Sequence, residues 1–178
     1  VAGVVGPATS GASAASYPIL NDAKVPVISP SATANNQTLV NADDPTSAVY
    51  DYVFRVCFED SYQGAAMAQY AVDNLSAQKA AIYGSSSSDY ALGLKEAFTE
   101  QFEKLGGTIV ASESYQDKDT DFSSVLTTLA SKEFDVLYIP GYYNEAGLII
   151  KQARDMGINV PIIGADGFDS TTLVELAG

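Results

Sequence analysis

Three hydroxyl-bearing residues, Ser10, Ser31 and Thr33, and one carboxylate, Asp166, have the types and spacing to bind a small zwitterion. Hydroxyl and backbone N–H donors suit a carboxylate, while an anionic Asp166 suits an ammonium. Hydrogen bonds to charged groups contribute roughly 1.5–3 kcal/mol each, and three or four of them, less the cost of immobilising the ligand, make a zwitterion a credible guest. Tyr90 and Tyr142 add aromatic walls for an apolar side chain, and Asp60 is a further polar candidate. Each residue also has a plainer use. Ser10 suits a helix N-cap, Thr33 an ordinary turn, Asp166 in Ala165-Asp166-Gly167 a turn former, and the two tyrosines core or rim packing.

Chemistry that converts a substrate has little to work with. The sequence has no histidine, which excludes a Ser-His-Asp triad, histidine-ligated zinc and the commonest general base. Its single cysteine, Cys57, lies among Phe54, Val56 and Phe58 and reads as a small core residue, so neither an intrachain disulfide nor a cysteine metal cluster is expected. No G-x-G-x-x-G follows a strand, and the Ser85–Ser88 run lacks the glycines and lysine of a phosphate loop; it reads as a flexible lead-in to a helix. Asp60, Glu145 and Asp166 near loop ends leave a glycosidase-like carboxylate pair open, without any local motif to support it. Nine basic against 22 acidic residues give a net charge of −13, which repels nucleic acid and anionic lipid.

The elements that must position these residues alternate along the chain. Val1–Val5 reads as a strand, the small-residue stretch Gly11–Asp22 as a helix, and Val25–Ser29 as a buried strand covered on both faces. Tyr52–Phe58, Ala80–Tyr83, Thr108–Ala111, Phe134–Ile139 and Val160–Ile163 are further strands. Leu94, Phe98, Phe102 and Leu105 recur at helical spacing, and Gly106-Gly107 marks the stop. Phe122, Val125, Leu126 and Leu129 make a second amphipathic face capped by Asp119 or Thr120; Asn144 and Ser170 are expected caps of later helices. Strands alternating with helices mean parallel sheets, and right-handed crossovers bring the strand-to-helix loops to one edge. Those loops hold all seven candidates, at the carboxyl edge where open α/β sheets bind ligands.

Several stretches, in order, resemble the leucine/isoleucine/valine-binding proteins of ABC importers. They are Gly6-Pro7-Ala8-Thr9-Ser10, Ile28-Ser29-Pro30-Ser31-Ala32-Thr33, Phe54 to Gly64, Pro140 to Gly147 and Lys151-Gln152-Ala153-Arg154. The resemblance implies an α/β protein of the type I periplasmic-binding fold, with parallel sheets, helices on both faces, and two lobes that close like jaws on an amino acid. It implies an incomplete first lobe over 1–54, a nearly complete second lobe over 55–163 and a crossover back towards the first lobe over 164–178. The position of Ser10 then binds the ligand carboxylate, those of Ser31 and Thr33 bind carboxylate and ammonium through backbone and hydroxyl, and Asp166 takes the ammonium. Tyr90 and Tyr142 close the pocket, and Asp60 adds a polar contact at the crossover. Asp166 stands where some relatives carry glutamate, so its shorter arm is expected to shift the ammonium or the choice of ligand.

The resemblance implies a binding protein without catalysis, cofactor or metal, located outside the cytoplasm in the periplasm or lipid-anchored at the outer membrane face. Its partners are then a small amino acid and the importer's membrane subunits, with self-association of the truncated chain as a further expectation. The same fold serving as the extracellular sensor of a receptor or kinase is the alternative. A flavodoxin-like enzyme is a third reading, against which the histidine-free loops weigh. With few first-lobe strands, Val1–Asp51 is expected to need something else to pack on.

Overall fold

The structure, a computed structural model, describes all 178 residues. It divides into two compact units, Val1–Asp60 and Ser61–Gly178.

The first unit is a parallel three-stranded sheet in the order β1 (Val4–Val5), β2 (Val27–Ser29), β3 (Val53–Arg55), with helix α1 (Ser10–Asp22) on one face. Val27 lies opposite Val4 and Val53, and Ile28 opposite Val5 and Phe54. The strands are shorter than the sequence suggests. Pro26 has no N–H, so the ladder of β2 begins at Val27, although the Pro26 carbonyl still accepts from the Val4 N–H at 2.8 Å.

Alternation along β2 sends Val27 and Ser29 to the helix side, where Val27, Tyr17 and Val53 form a small core. Ile28 points the other way and is 36% exposed, with Phe54 at 50% and Val5 at 84% beside it in register. β2 is therefore covered on one face only, which corrects the expectation of a strand buried on both.

The second unit begins with α2 (Asp60–Leu75), whose first residue belongs to the preceding unit, and contains a parallel sheet in the order β5, β4, β6, β7. These strands are β4 (Lys79–Ser85), β5 (Thr108–Tyr115), β6 (Val136–Tyr138) and β7 (Ile162–Ile163). Because successive side chains alternate faces, Ala80, Ile82, Val136 and Tyr138 pack with α2 and α3 (Asp89–Lys104). Ala81, Tyr83, Leu137 and Ile139 pack on the other face with α4 (Ser123–Ala130) and α5 (Tyr143–Asp155).

Helix α3 buries Leu94, Phe98 and Phe102 completely, as their spacing requires, and Phe98 stacks on Tyr138 with ring centroids 4.2 Å apart. It stops where the glycines stand. Gly106, at φ +89°, donates to Glu103 O, and the Gly107 N–H reaches back to Phe102 O, both at 2.9 Å. A short 3₁₀ turn (Asp166–Phe168) and helix α6 (Thr171–Ala177) follow β7. α6 lies close on α5 at Gly147, where a Cβ would come within 2.6 Å of the Leu176 Cβ.

Three helix starts differ from the sequence reading. Thr9, extended, precedes α1, and Ser10 is its first residue, so Ser10 is not the cap. α4 starts at Ser123, where Asp121 Oδ1 accepts both the Ser123 N–H and its hydroxyl, whereas Asp119 accepts the Gln116 N–H instead. The two bonds from Ser123 also hold the exposed Asp121 carboxyl below the usual carboxylate range. α5 starts at Tyr143, one residue before Asn144. Ser170 does cap α6, accepting the Thr172 N–H at 3.2 Å.

Candidate functional site

In the first unit, the loop from β1 to α1 and the chain that leaves β2 are stapled together at the carboxyl ends of the two strands. Ser29, fully buried, donates from Oγ to Pro7 O at 2.7 Å and accepts the Ala32 N–H at 3.0 Å. The Ser31 hydroxyl donates to Ala8 O at 2.8 Å, while its backbone N–H meets Ser29 Oγ only at 3.4 Å. Ser10, 1% exposed, accepts the Ala34 N–H at 3.1 Å, which spends a lone pair but not its proton. Gln37 donates to Ser10 O at 2.9 Å from beneath.

Thr33 lies in the same loop, between Ala32 and Ala34. Its carbonyl accepts the Asp60 N–H at 2.9 Å, tying the loop to the start of α2. Its hydroxyl is buried at 1% exposure and has no partner in the chain. Such a group costs free energy in the protein alone, since folding has stripped its water without replacing it. Asp60 is itself fully buried.

Arg55 braces the loop from below. Its guanidinium donates to Ala34 O at 2.8 Å and Ala32 O at 3.4 Å and is paired with Glu59. The Cys57 thiol also donates to Ala32 O, at 3.5 Å.

In the second unit, Tyr90, Tyr142 and Asp166 converge at the carboxyl edge of the sheet. The Tyr90 hydroxyl donates to Asp166 Oδ1 at 2.6 Å and accepts the Gly167 N–H at 2.8 Å. Tyr142 stacks on Tyr90, with centroids 4.9 Å apart and planes 20° from parallel. Tyr90 is only 2% exposed, so its hydroxyl orders the Asp166 loop while its ring joins the core. Glycine is required at 167 on grounds of space: a Cβ there would meet Gly141 O at 2.6 Å and the Tyr90 hydroxyl at 2.9 Å. Gln63, in the first turn of α2, completes the set. With its amide assigned so that the nitrogen faces the carboxylate, the orientation that satisfies both contacts, it donates to Asp166 Oδ1 at 2.9 Å and accepts the Asp166 N–H at 2.8 Å.

The serine run beside this cluster is pinned, contrary to the flexible loop expected. Ser85 donates to Asp117 Oδ1 at 2.6 Å, Ser87 Oγ accepts the Asp117 N–H at 3.0 Å, and Ser88 caps α3. The buried Glu145 accepts the Lys118 N–H at 2.9 Å, which joins the loop after β5 to α5. Burial, with Glu145 and Asp117 close by, pushes the Tyr115 phenol far above its ordinary range, so it stays neutral beside Gly141.

The structure thus brings Ser10, Ser31, Thr33 and Asp60 together in one unit, and Tyr90, Tyr142 and Asp166 in the other. Arg55 and Gln63 escaped the sequence reading as site residues. Both lie in the motif Phe54 to Gly64, and that position was the only signal available.

All of residues 1–178 match the family described as periplasmic binding protein. The chain belongs to that family. A Leu/Ile/Val-binding protein of Rhizobium johnstonii is 33% identical over 94% of this chain and 43% of its own length. Among solved structures, a branched-chain amino acid transporter substrate binding protein from Streptococcus pneumoniae, in complex with isoleucine, is 45% identical. It superposes with a TM-score of 0.89 over 99% of this chain and 47% of that one. A leucine binding protein from Thermotoga maritima is 36% identical, with a TM-score of 0.90 over the whole of this chain and 48% of its own. The chain therefore spans less than half the length of these relatives, and the strand orders of both units fit the α/β fold with parallel sheets that the sequence implied.

Proposed function

We propose that this chain is the ligand-gripping part of an extracytoplasmic solute-binding protein that captures an apolar amino acid, branched-chain by preference, for an ABC importer. The observation that carries the reading is the Thr33 hydroxyl, buried without a partner beside Ser10 and Ser31. A fold that strips the water from a hydroxyl and supplies no bond to it holds that hydroxyl ready for a guest. Family membership and the ligands named for the relatives support an amino acid as that guest.

Ser10 and the Ser31 backbone N–H are assigned to the carboxylate, the Thr33 hydroxyl to the carboxylate or ammonium, and Asp166 to the ammonium. Tyr142 borders the ligand side chain. Tyr90 acts chiefly by holding Asp166, and Asp60 by anchoring the Thr33 loop. The protein binds its ligand and releases it unchanged, with no step that needs a cofactor or metal. Its protein partners are the membrane subunits of the importer, and its place is the periplasm or the outer face of the cell membrane.

The test is titration calorimetry of the complete protein with L-leucine, repeated for Thr33→Ala and Asp166→Ala. Each substitution is expected to weaken binding about tenfold or more, the equivalent of one hydrogen bond to a charged group. Unchanged affinity in both variants would refute the assignment.

A further inference from the structure

Asp166 has only two side-chain torsions and sits in a three-residue 3₁₀ turn, yet it is gripped at three points. Its Oδ1 receives the Tyr90 hydroxyl at 2.6 Å and the Gln63 amide at 2.9 Å, and its N–H donates to the same Gln63 amide at 2.8 Å. Gln63 therefore holds both the main chain and the side chain of one residue. Both donors to Oδ1 are neutral, and none of the chain's ion pairs involves Asp166. The carboxylate is thus oriented while its charge is left uncompensated. Oδ2 accepts no bond within the chain.

We propose that Gln63 is a positioning residue for ligand recognition: its two-point clamp turns Asp166 so that Oδ2 is the oxygen offered to a cation. The inference rests on the assignment of Asp166 to the ligand ammonium made above. Chemically, the clamp differs from an ion pair in a way that matters. A lysine or arginine at this position would orient the carboxylate equally well but would neutralise the charge that attracts the ammonium. An apolar residue would leave the charge and lose the aim, because an unheld aspartate rotates and must be ordered again at each binding event. Glutamine alone among long polar side chains supplies one neutral donor and one acceptor at a single planar end, which matches the carboxylate oxygen and the backbone N–H of the same residue.

The experiment is a double-mutant cycle on L-leucine binding in the complete protein, with Gln63→Met, Asp166→Ala and the pair, each followed by calorimetry and a thermal unfolding midpoint. Gln63→Met alone is expected to weaken leucine binding about tenfold, the scale of one lost bond to a charged group. In the Asp166→Ala background it is expected to add no further loss, because a residue that acts through Asp166 has nothing left to position. Gln63→Asn, an amide one methylene too short to reach both atoms, is expected to weaken binding as Gln63→Met does, which covers the case of a poorly folded methionine variant.

Binding by Gln63→Met and Gln63→Asn within twofold of the unsubstituted protein would overturn the inference. So would an equal tenfold loss in both backgrounds, which would make Gln63 a residue of general structural effect. A protein that binds no leucine, or an Asp166→Ala variant that binds it fully, instead overturns the assignment of Asp166 and takes this inference with it.

Discussion

Replacing Thr33 with valine should raise stability and lower affinity at the same time, a pairing of signs that few structural roles produce. Valine keeps the branched shape that fills the site at 1% exposure, and the Thr33 carbonyl still accepts the Asp60 N–H, so packing and loop geometry are retained. What disappears is a buried hydroxyl without a partner. Leaving such a group unsatisfied costs about 1–3 kcal/mol. Its removal should therefore stabilise the ligand-free chain by about 1 kcal/mol, the lower end of that range, since partial relaxation already relieves some of the cost. For a chain of this size that corresponds to an unfolding midpoint higher by about 2–4 °C.

In the ligand-bound protein the same change removes a hydrogen bond to a charged group, about 1.5–3 kcal/mol, so leucine affinity should fall roughly 10- to 100-fold. The two measurements are a thermal melt without ligand and a calorimetric titration with it. A lower midpoint with unchanged binding would refute the reasoning, because it would mean the hydroxyl works for the fold and that its partner lies within the protein.

Two further outcomes follow from the first unit. Arg55→Met should weaken leucine binding about tenfold, because the charged donor to Ala34 and Ala32 is lost and the Thr33 loop is no longer braced; Arg55→Lys should recover only part of this, as its single nitrogen must stand in both for Nη1, which bonds the two carbonyls, and for Nη2, which pairs with Glu59. Equal affinity in all three proteins by calorimetry would exclude the brace. The exposed row of Val5, Ile28 and Phe54 should make the isolated 178-residue chain self-associate, and the paired substitution Ile28→Thr with Phe54→Thr should reduce that association while leaving residues of good strand propensity at both positions. Sedimentation velocity that finds the unsubstituted chain monomeric over a wide concentration range would contradict it.

The parts of the fold legible in the sequence were those set by local periodicity. Leu94, Phe98 and Phe102 each fall on one stripe of a helix, and all three are fully buried. Gly106 stops that helix because the chain must turn there through positive φ, a demand that one residue type announces. Strand ends were harder, since pairing depends on what lies alongside. Read as Ala80–Tyr83, β4 runs from Lys79 to Ser85 because β5 pairs with it over its full length, and no local feature of Gly84 and Ser85 advertises a distant partner. The face of β2 was misjudged for a related reason. Val25-Pro26-Val27-Ile28 is apolar throughout, and composition cannot say that Ile28 projects from a face without a covering layer.

The candidate site divides along the same line. Residue type alone pointed to Ser10, Ser31, Thr33 and Asp166, because donors and a carboxylate at strand ends suggest a zwitterion. It could not distinguish a group that faces a guest from one that holds its neighbour. Tyr90 looked like a wall, yet it is 2% exposed and its hydroxyl is engaged twice, with Asp166 and with Gly167. Gln63 figured only as part of the stretch Phe54 to Gly64, and only the fold brings its amide against Asp166.

In the assignment proposed above, the two clusters solve opposite electrostatic problems. A ligand carboxylate needs donors with protons still unspent, and Thr33 and Ser10 retain them because their other atoms are engaged by backbone groups. A ligand ammonium needs an anion that is fixed but unneutralised, and neutral clamps on one oxygen of Asp166 achieve that. In both cases the ordering is carried out during folding, where the rest of the core supports it, so the entropy of arranging the site is not subtracted again from the affinity. A site built this way favours ligands that bring a full charge to Asp166. An analogue of leucine with a hydroxyl in place of the ammonium offers the same shape but leaves the prepared anion without a countercharge, and its affinity should fall by well over the tenfold expected for one neutral contact.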